Sequence, residues 1–205
     1  IKFSRDIYRE AFDGKPRSQA LKQFLINTGM SDKVIKNNIQ KLLNKKDNDF
    51  RKLLTVYPVE KLVYSDSLRF LDIVAKKKNS YTVLVSSSRN AYNVLKKIGL
   101  ESYFRFVIDG NLLRENPAVR GKPSPDMFNY AINKCTGLIK GGENIVVFED
   151  SIAGVEAGIR SNATHVYWIQ RENFGSTIES RLEKLADGKN LKRIGNFDSI
   201  NRSMI

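Results

Sequence analysis

From residue 62 onward the chain alternates short apolar runs with longer stretches of helical period, and few folds accept that pattern. The runs at residues 81–85 (Tyr-Thr-Val-Leu-Val), 106–108 (Phe-Val-Ile), 145–148 (Ile-Val-Val-Phe) and 164–169 (Thr-His-Val-Tyr-Trp-Ile) are short, β-branched and aromatic, so each predicts a strand. Residues 66–78, 90–98, 125–135, 152–160 and 177–186 predict helices; in the first of these Leu68, Phe70, Leu71 and Val74 share an inward face. Strands alternating with helices predict a parallel sheet covered on both faces. Ligands bind such sheets at the carboxyl ends of the strands, so the residues just after each apolar run are the ones to inspect.

The first part of the chain carries no strand-like alternation. Residues 6–12 form a short amphipathic stretch, broken by the loop Asp13-Gly14-Lys15-Pro16. Leu21, Phe24 and Leu25 continue at helical spacing to Gly29, a helix stop, and Ser31 is a natural N-cap for residues 34–44. Phe50, Leu53 and Leu54 extend helical character towards Pro58. The division expected is a helical unit over residues 1–61 and an α/β unit over residues 62–205.

Three segments stand at or between the strand ends. Ser86-Ser87-Ser88-Arg89-Asn90 follows the first run, Gly121-Lys122-Pro123-Ser124-Pro125 precedes a helix, and Glu149-Asp150-Ser151 follows the third run. A serine hydroxyl with backbone N–H groups and Asn90 at a helix start can cradle an anion, although Ser86 can equally be a plain N-cap. Lys122 offers a fixed cation, or an ordinary surface lysine; Pro123 and Pro125 stiffen its backbone and favour the first. Ser124 reads as an N-cap with Pro125 as first helical residue, and Asp126 as a charge in the first turn. Glu149 and Asp150 put two carboxylates side by side, which a cation would relieve; the alternative is a pair of helix-starting acids.

In this order and on these elements, the three segments resemble the haloacid dehalogenase superfamily, in particular the subgroup containing beta-phosphoglucomutase and sugar-phosphate phosphatases. The resemblance runs from about Gly14 to about Trp168. It implies an α/β fold, a Rossmann-like parallel sheet core with a small α-helical cap domain. It also implies Mg²⁺-dependent phosphoryl transfer on a small phosphorylated substrate. Ser86 and Lys122 would be catalytic, with Asp150 and then Glu149 as metal ligands, a donor type that suits Mg²⁺. Ser87 and Asn90 would help hold phosphate. On the cap side, Arg17 and Lys46 would face the substrate, each with a solvated charge as the alternative. The family's first strand ends in Asp-x-Asp, whose first Asp attacks phosphorus. That motif is not in this sequence; Ile108-Asp109-Gly110 lies after the serine segment, so the nucleophile is expected upstream of Ile1. Phosphatase activity is the leading expectation, with a phosphomutase or an inactive binding protein as alternatives.

The remaining features narrow the class. One cysteine, Cys135, permits no internal disulfide and fits a reducing, cytoplasmic setting; it reads as a small helix residue, and His165, the one histidine, as a strand residue. No run of about 18 apolar residues suggests a membrane span. The net charge of +13 could attract nucleic acid, but the cations are dispersed; the longest run is Lys76-Lys77-Lys78 at a helix end. Without interleaved aromatics or a known module, charge alone does not support a nucleic-acid role. The sequence leaves oligomeric state open.

Overall fold

The computed structural model describes residues 4–136 and 144–200. Three helices come first: α1 (Arg5–Ala11), α2 (Arg17–Asn27) and α3 (Asp32–Val56). The α/β part follows in the order α4 (Ser65–Ala75), β1 (Val83–Val85), α5 (Ala91–Ile98), β2 (Phe106–Ile108), α6 (Leu112–Glu115) and α7 (Asp126–Thr136). It continues through β3 (Val146–Glu149), α8 (Ile152–Arg160), β4 (His165–Ile169), α9 (Ser176–Leu185) and β5 (Asn190–Ile194). The expected Rossmann-like α/β architecture with parallel strands is what the chain adopts.

The sheet departs from the expectation in two respects. Among the described residues β1 pairs only with β2, and β3, β4 and β5 form a separate sheet, so β1 and β3 share no ladder there. β4, flanked on both sides, is buried over Val166, Tyr167, Trp168 and Ile169. β1, with one open edge, is only half-buried along its length. The fifth strand went unread because Asn-Leu-Lys-Arg-Ile has neither an apolar run nor a clean alternation; its register against β4 defines it.

Helix limits have local causes. Gly29 adopts a φ of +82°, which the chain needs to leave α2 after Thr28. Residues 34–44 and 50–56 belong to one 25-residue helix, α3, because no Gly or Pro lies between Ser31 and Pro58. Ser31 holds the N-cap position, but its hydroxyl makes no capping bond. α4 ends at Ala75, so the lysine run follows the helix instead of forming its last turn. α7 begins at Asp126, one residue later than expected; Ser124 donates to the Asp126 carboxylate instead of capping a backbone N–H. Arg120 also binds Asp126 through its backbone and its guanidinium, and these contacts hold that carboxyl well below the usual range.

The main core lies between the three-stranded sheet and α8 and α9, where Val147, Val155, Val166, Trp168 and Leu182 interlock. Gly158 lets α8 approach closely, since a Cβ there would lie 3.1 Å from the Val147 side chain. Phe70 and Val74 of α4 cover the opposite face, against Phe148 and Phe197. A third cluster of Ile108, Met127 and Ala131 joins β2 to α7.

One buried charge ties α4 to the far end of the chain. Asp66 accepts from Arg171 at 2.8 Å and from the Phe197 backbone N–H at 2.9 Å, and Arg171 lies 3.9 Å above the Tyr64 ring. Burial disfavours ionised Asp66, but the Arg171 guanidinium and the backbone donors outweigh it and keep its pKa below the ordinary 3.8. A carboxyl depressed in the folded state adds stability above its unfolded pKa and loses it as pH falls through the folded value. Urea unfolding at neutral pH should show Asp66→Asn less stable by about 2 kcal/mol, from Arg171 left partly uncompensated. The native protein should lose stability as pH drops below 3.8, and this part of the loss should vanish in the variant.

Candidate functional site

The ends of β1 and β3 meet at one lysine. Lys122 is 4% exposed; its ammonium donates to the Val85 carbonyl at 3.0 Å, at the end of β1 beside Ser86. The same ammonium pairs with the Glu149 carboxylate at the end of β3, beside Asp150, and lies 4.8 Å over the Phe128 ring. The unpaired strands are thus bridged by a side chain where a backbone ladder is missing. The loop before α7 presents Lys122, and α7 packs on β1 through Met127 and its neighbours.

Glu149 is held as tightly as the lysine. Its second oxygen accepts from Ser151 at 3.2 Å, and Ser151 also caps α8 by accepting from the Gly154 N–H at 3.1 Å. Gly154 is required by close approach: a Cβ there would overlap the Glu149 carboxylate. Asp150 is exposed at the mouth of the site. Its oxygens suit a hard cation such as Mg²⁺, which would take its other ligands from Glu149, water and substrate. Among the described residues no group of three or more His, Cys, Asp or Glu side chains has the spacing to hold a metal. Of the two carboxylates, Asp150 is open to water and could hold a Mg²⁺, whereas Glu149 has one oxygen on Lys122 and the other on Ser151 and would have to exchange a partner to join it.

The serine segment forms a tight turn. Ser86 Oγ accepts from the Ser88 N–H at 3.1 Å, which leaves the Ser86 hydroxyl proton for another acceptor. Ser88 Oγ accepts in turn from the Asn90 N–H at 3.2 Å. Ser87 donates to the Gly14 carbonyl at 2.9 Å, so its hydroxyl fastens the 13–16 loop to the core. Gly14 also lies against Ser151, with no space for a Cβ. This loop therefore spans from the end of β1 to the end of β3.

The structure divides the expected site residues into two groups. Ser86, Lys122, Glu149 and Asp150 gather at the strand ends. Asn90 instead turns its amide towards Asp47 at 3.5 Å, and Asp47 forms an ion pair with Arg17. Burial, followed by the charges of Arg89 and Arg51, lowers the Arg17 pKa. Lys46 is exposed, yet partial desolvation, followed by the charge of Arg17, lowers its pKa too. Beside them is a cavity of about 370 Å³ whose wall includes Asp47, Arg51, Arg89, Asn90 and Asn111.

Several residues here escaped the sequence reading. Asp47 and Arg89 stood inside segments quoted for their neighbours, and only the fold shows which side chains converge. Asp13 is half-buried in the loop over the strand ends; burial, and then the charges of Asp150 and Glu149, raise its pKa against the opposing Gly14 N–H and Arg9. Its position before a Gly-Lys-Pro turn was the only sequence signal. Asp126 is confined to its local Arg120 and Ser124 contacts. His165 contacts Thr164 and Asn190 at the other end of β4, away from the site.

Comparisons with known proteins bear on the family and the fold. The chain is 32% identical over 171 residues to the beta-phosphoglucomutase of Mycobacterium bovis, covering 80% of this chain and 63% of that protein. It is 26% identical over 148 residues to a phosphorylated carbohydrates phosphatase of Thermotoga maritima, covering 68% of this chain and 59% of that one. The chain thus spans less than two thirds of the length of these relatives. The crystal structure of beta-phosphoglucomutase from Clostridium difficile superposes with a TM-score of 0.73 at 20% identity, covering 99% of this chain and 80% of that one, which bears on the fold. The family profile described as haloacid dehalogenase-like hydrolase matches residues 4–162, and the chain belongs to that family.

Proposed function

We propose that this protein is a Mg²⁺-dependent phosphatase of a small phosphorylated metabolite, with a sugar phosphate as the substrate class. The observation that carries the reading is the reach of Lys122 to Val85 beside Ser86 and to Glu149 beside Asp150. A phosphoryl group in transfer spreads negative charge over its oxygens, and catalysis consists of positioning and neutralising it. Ser86 would donate its free hydroxyl proton to one phosphoryl oxygen. Lys122 would face another, kept in place by Glu149 and the Val85 carbonyl. Mg²⁺ held by Asp150, with Glu149 as the second carboxylate, would supply the remaining charge neutralisation.

The reaction also needs an attacking carboxylate that forms an aspartyl-phosphate. Asp109 is a poor source, since both its oxygens are engaged by Asn111. The reading assigns the nucleophile to a segment upstream of Ile1. Residues 1–61 would act as the cap domain that closes over residues 62–205, fastened through Ser87 and Gly14. The names of the relatives, a mutase and a carbohydrate phosphatase, support a phosphorylated carbohydrate. Among the described residues no helix is long and apolar enough to cross a membrane. The single cysteine supports a cytoplasmic setting.

A second reading, a beta-phosphoglucomutase-type phosphomutase, is favoured by the separate cluster of Arg17, Lys46, Arg51 and Arg89, which could grip a second phosphate. Protein extended to its natural start should be assayed with glucose 6-phosphate and β-glucose 1-phosphate, following free phosphate and isomerised sugar in parallel. Mg²⁺-dependent phosphate release is expected. Isomerisation without release would establish the mutase reading, and neither product would leave a binding protein.

Two substitutions test the strand-end geometry in the same assays. Lys122→Ala should lower kcat/KM by about 10³-fold, in the range seen when one transition-state donor is removed. Gly154→Ala, which touches no substrate, should displace Glu149 and lower both activity and stability, the latter by about 1–3 kcal/mol in urea unfolding.

A further inference from the structure

Asp47 is an anion buried in a nest of cations, and its place relative to the cavity is specific. Its side chain is 14% exposed and pairs with Arg17, itself 13% exposed. Arg17 Nη1 is fully buried, and its charge partner is the Asp47 carboxylate. The cavity wall includes Asp47 but not Arg17. Asp47 thus belongs to the cavity wall and is at the same time the charge partner of Arg17. Within that wall, Arg51 and Arg89 are matched by Asp47 and Asp109, and Asp109 is held in place by Asn111. If Asp47 moved aside, the wall would lose a negative charge, and Arg17 and the Asn90 amide would lose the acceptor they now share.

We infer that Asp47 is a specificity-determining residue: a resident counter-ion that only a phosphate dianion displaces from Arg17 and Asn90. The inference rests on the reading of this protein as acting on phosphorylated carbohydrates. A ligand carboxylate brings the same single charge and two oxygens as Asp47, and Asp47 competes at the high effective concentration of a tethered group. A phosphate brings nearly twice the charge and three acceptor oxygens, which Arg17, Asn90 and Arg89 can share. Because the pocket is open to ligand only while Asp47 is displaced, the apparent affinity of every anion is lowered by the fraction of time it is in place. Weak anions are thereby excluded and phosphate is retained.

The test compares glucose 6-phosphate with glucuronate, which has a carboxylate at the same end of the sugar, by calorimetry on the native protein and Asp47→Asn. The native protein should bind glucose 6-phosphate and ignore glucuronate. Asp47→Asn should bind glucuronate at least about tenfold more tightly than the native protein does, so that the discrimination narrows. Adding Arg17→Ala to Asp47→Asn should abolish the gain. If Asp47→Asn loses stability for want of a counter-ion, sulfate should restore its melting temperature and shift that of the native protein less. Unchanged or weaker glucuronate binding in the variant, no binding of either sugar to either protein, or no rescue of a destabilised variant by sulfate would each overturn the inference. The phosphatase reading fails separately, by absence of phosphate release, while the ratio of the two sugars still decides the role of Asp47.

Discussion

The arrangement of this site depends on one buried ion pair, Lys122 with Glu149. Taking two charges out of water is expensive, and a pair of this kind persists only when its remaining hydrogen-bonding capacity is met. Here the ammonium also has the Val85 carbonyl and the Phe128 ring, and the carboxylate has Ser151. Each partner comes from a different element: the end of β1, α7, and the N-cap of α8. The pair therefore does more than neutralise itself, since it fixes the distance between two strand ends that have no ladder between them.

That role explains features that would otherwise look unrelated. α8 must start within contact of Glu149, so its third residue, Gly154, has no side chain, and its cap, Ser151, serves the carboxylate and the helix together. The small residues along α8 continue the same constraint downward, where Gly158 lets the helix settle on Val147 and Val166. Helix, strand and ion pair are thus positioned by one set of steric limits, with the polar groups at the top and the packed core beneath.

The architecture was legible in the sequence wherever hydrophobic period and punctuation agreed. α8 and β2 were readable to the residue, because a Ser cap or an isolated Phe-Val-Ile run leaves few choices. The strand-end residues were legible because strand-helix alternation dictates which positions lie at the carboxyl ends. β5 was not, because a strand with charged residues is defined by its neighbour and not by its own pattern. The cluster around Arg17 was half legible: Arg17, Lys46 and Asn90 were marked, but Asp47 was not singled out, because only the fold shows that α3 sets it against Arg17.

The two charged clusters are not independent, because the loop over residues 13–16 belongs to both. Its Gly14 carbonyl takes the Ser87 hydroxyl and its backbone lies on Ser151, which fastens it to the strand ends. Pro16, next along, packs against Gly121, the residue before Lys122. Arg17 then opens α2 and carries the ion pair with Asp47. Four consecutive residues therefore link the lysine that holds the strand ends to the arginine beside Asp47. The pocket beside Arg17 and the strand-end site are accordingly joined by one packed loop.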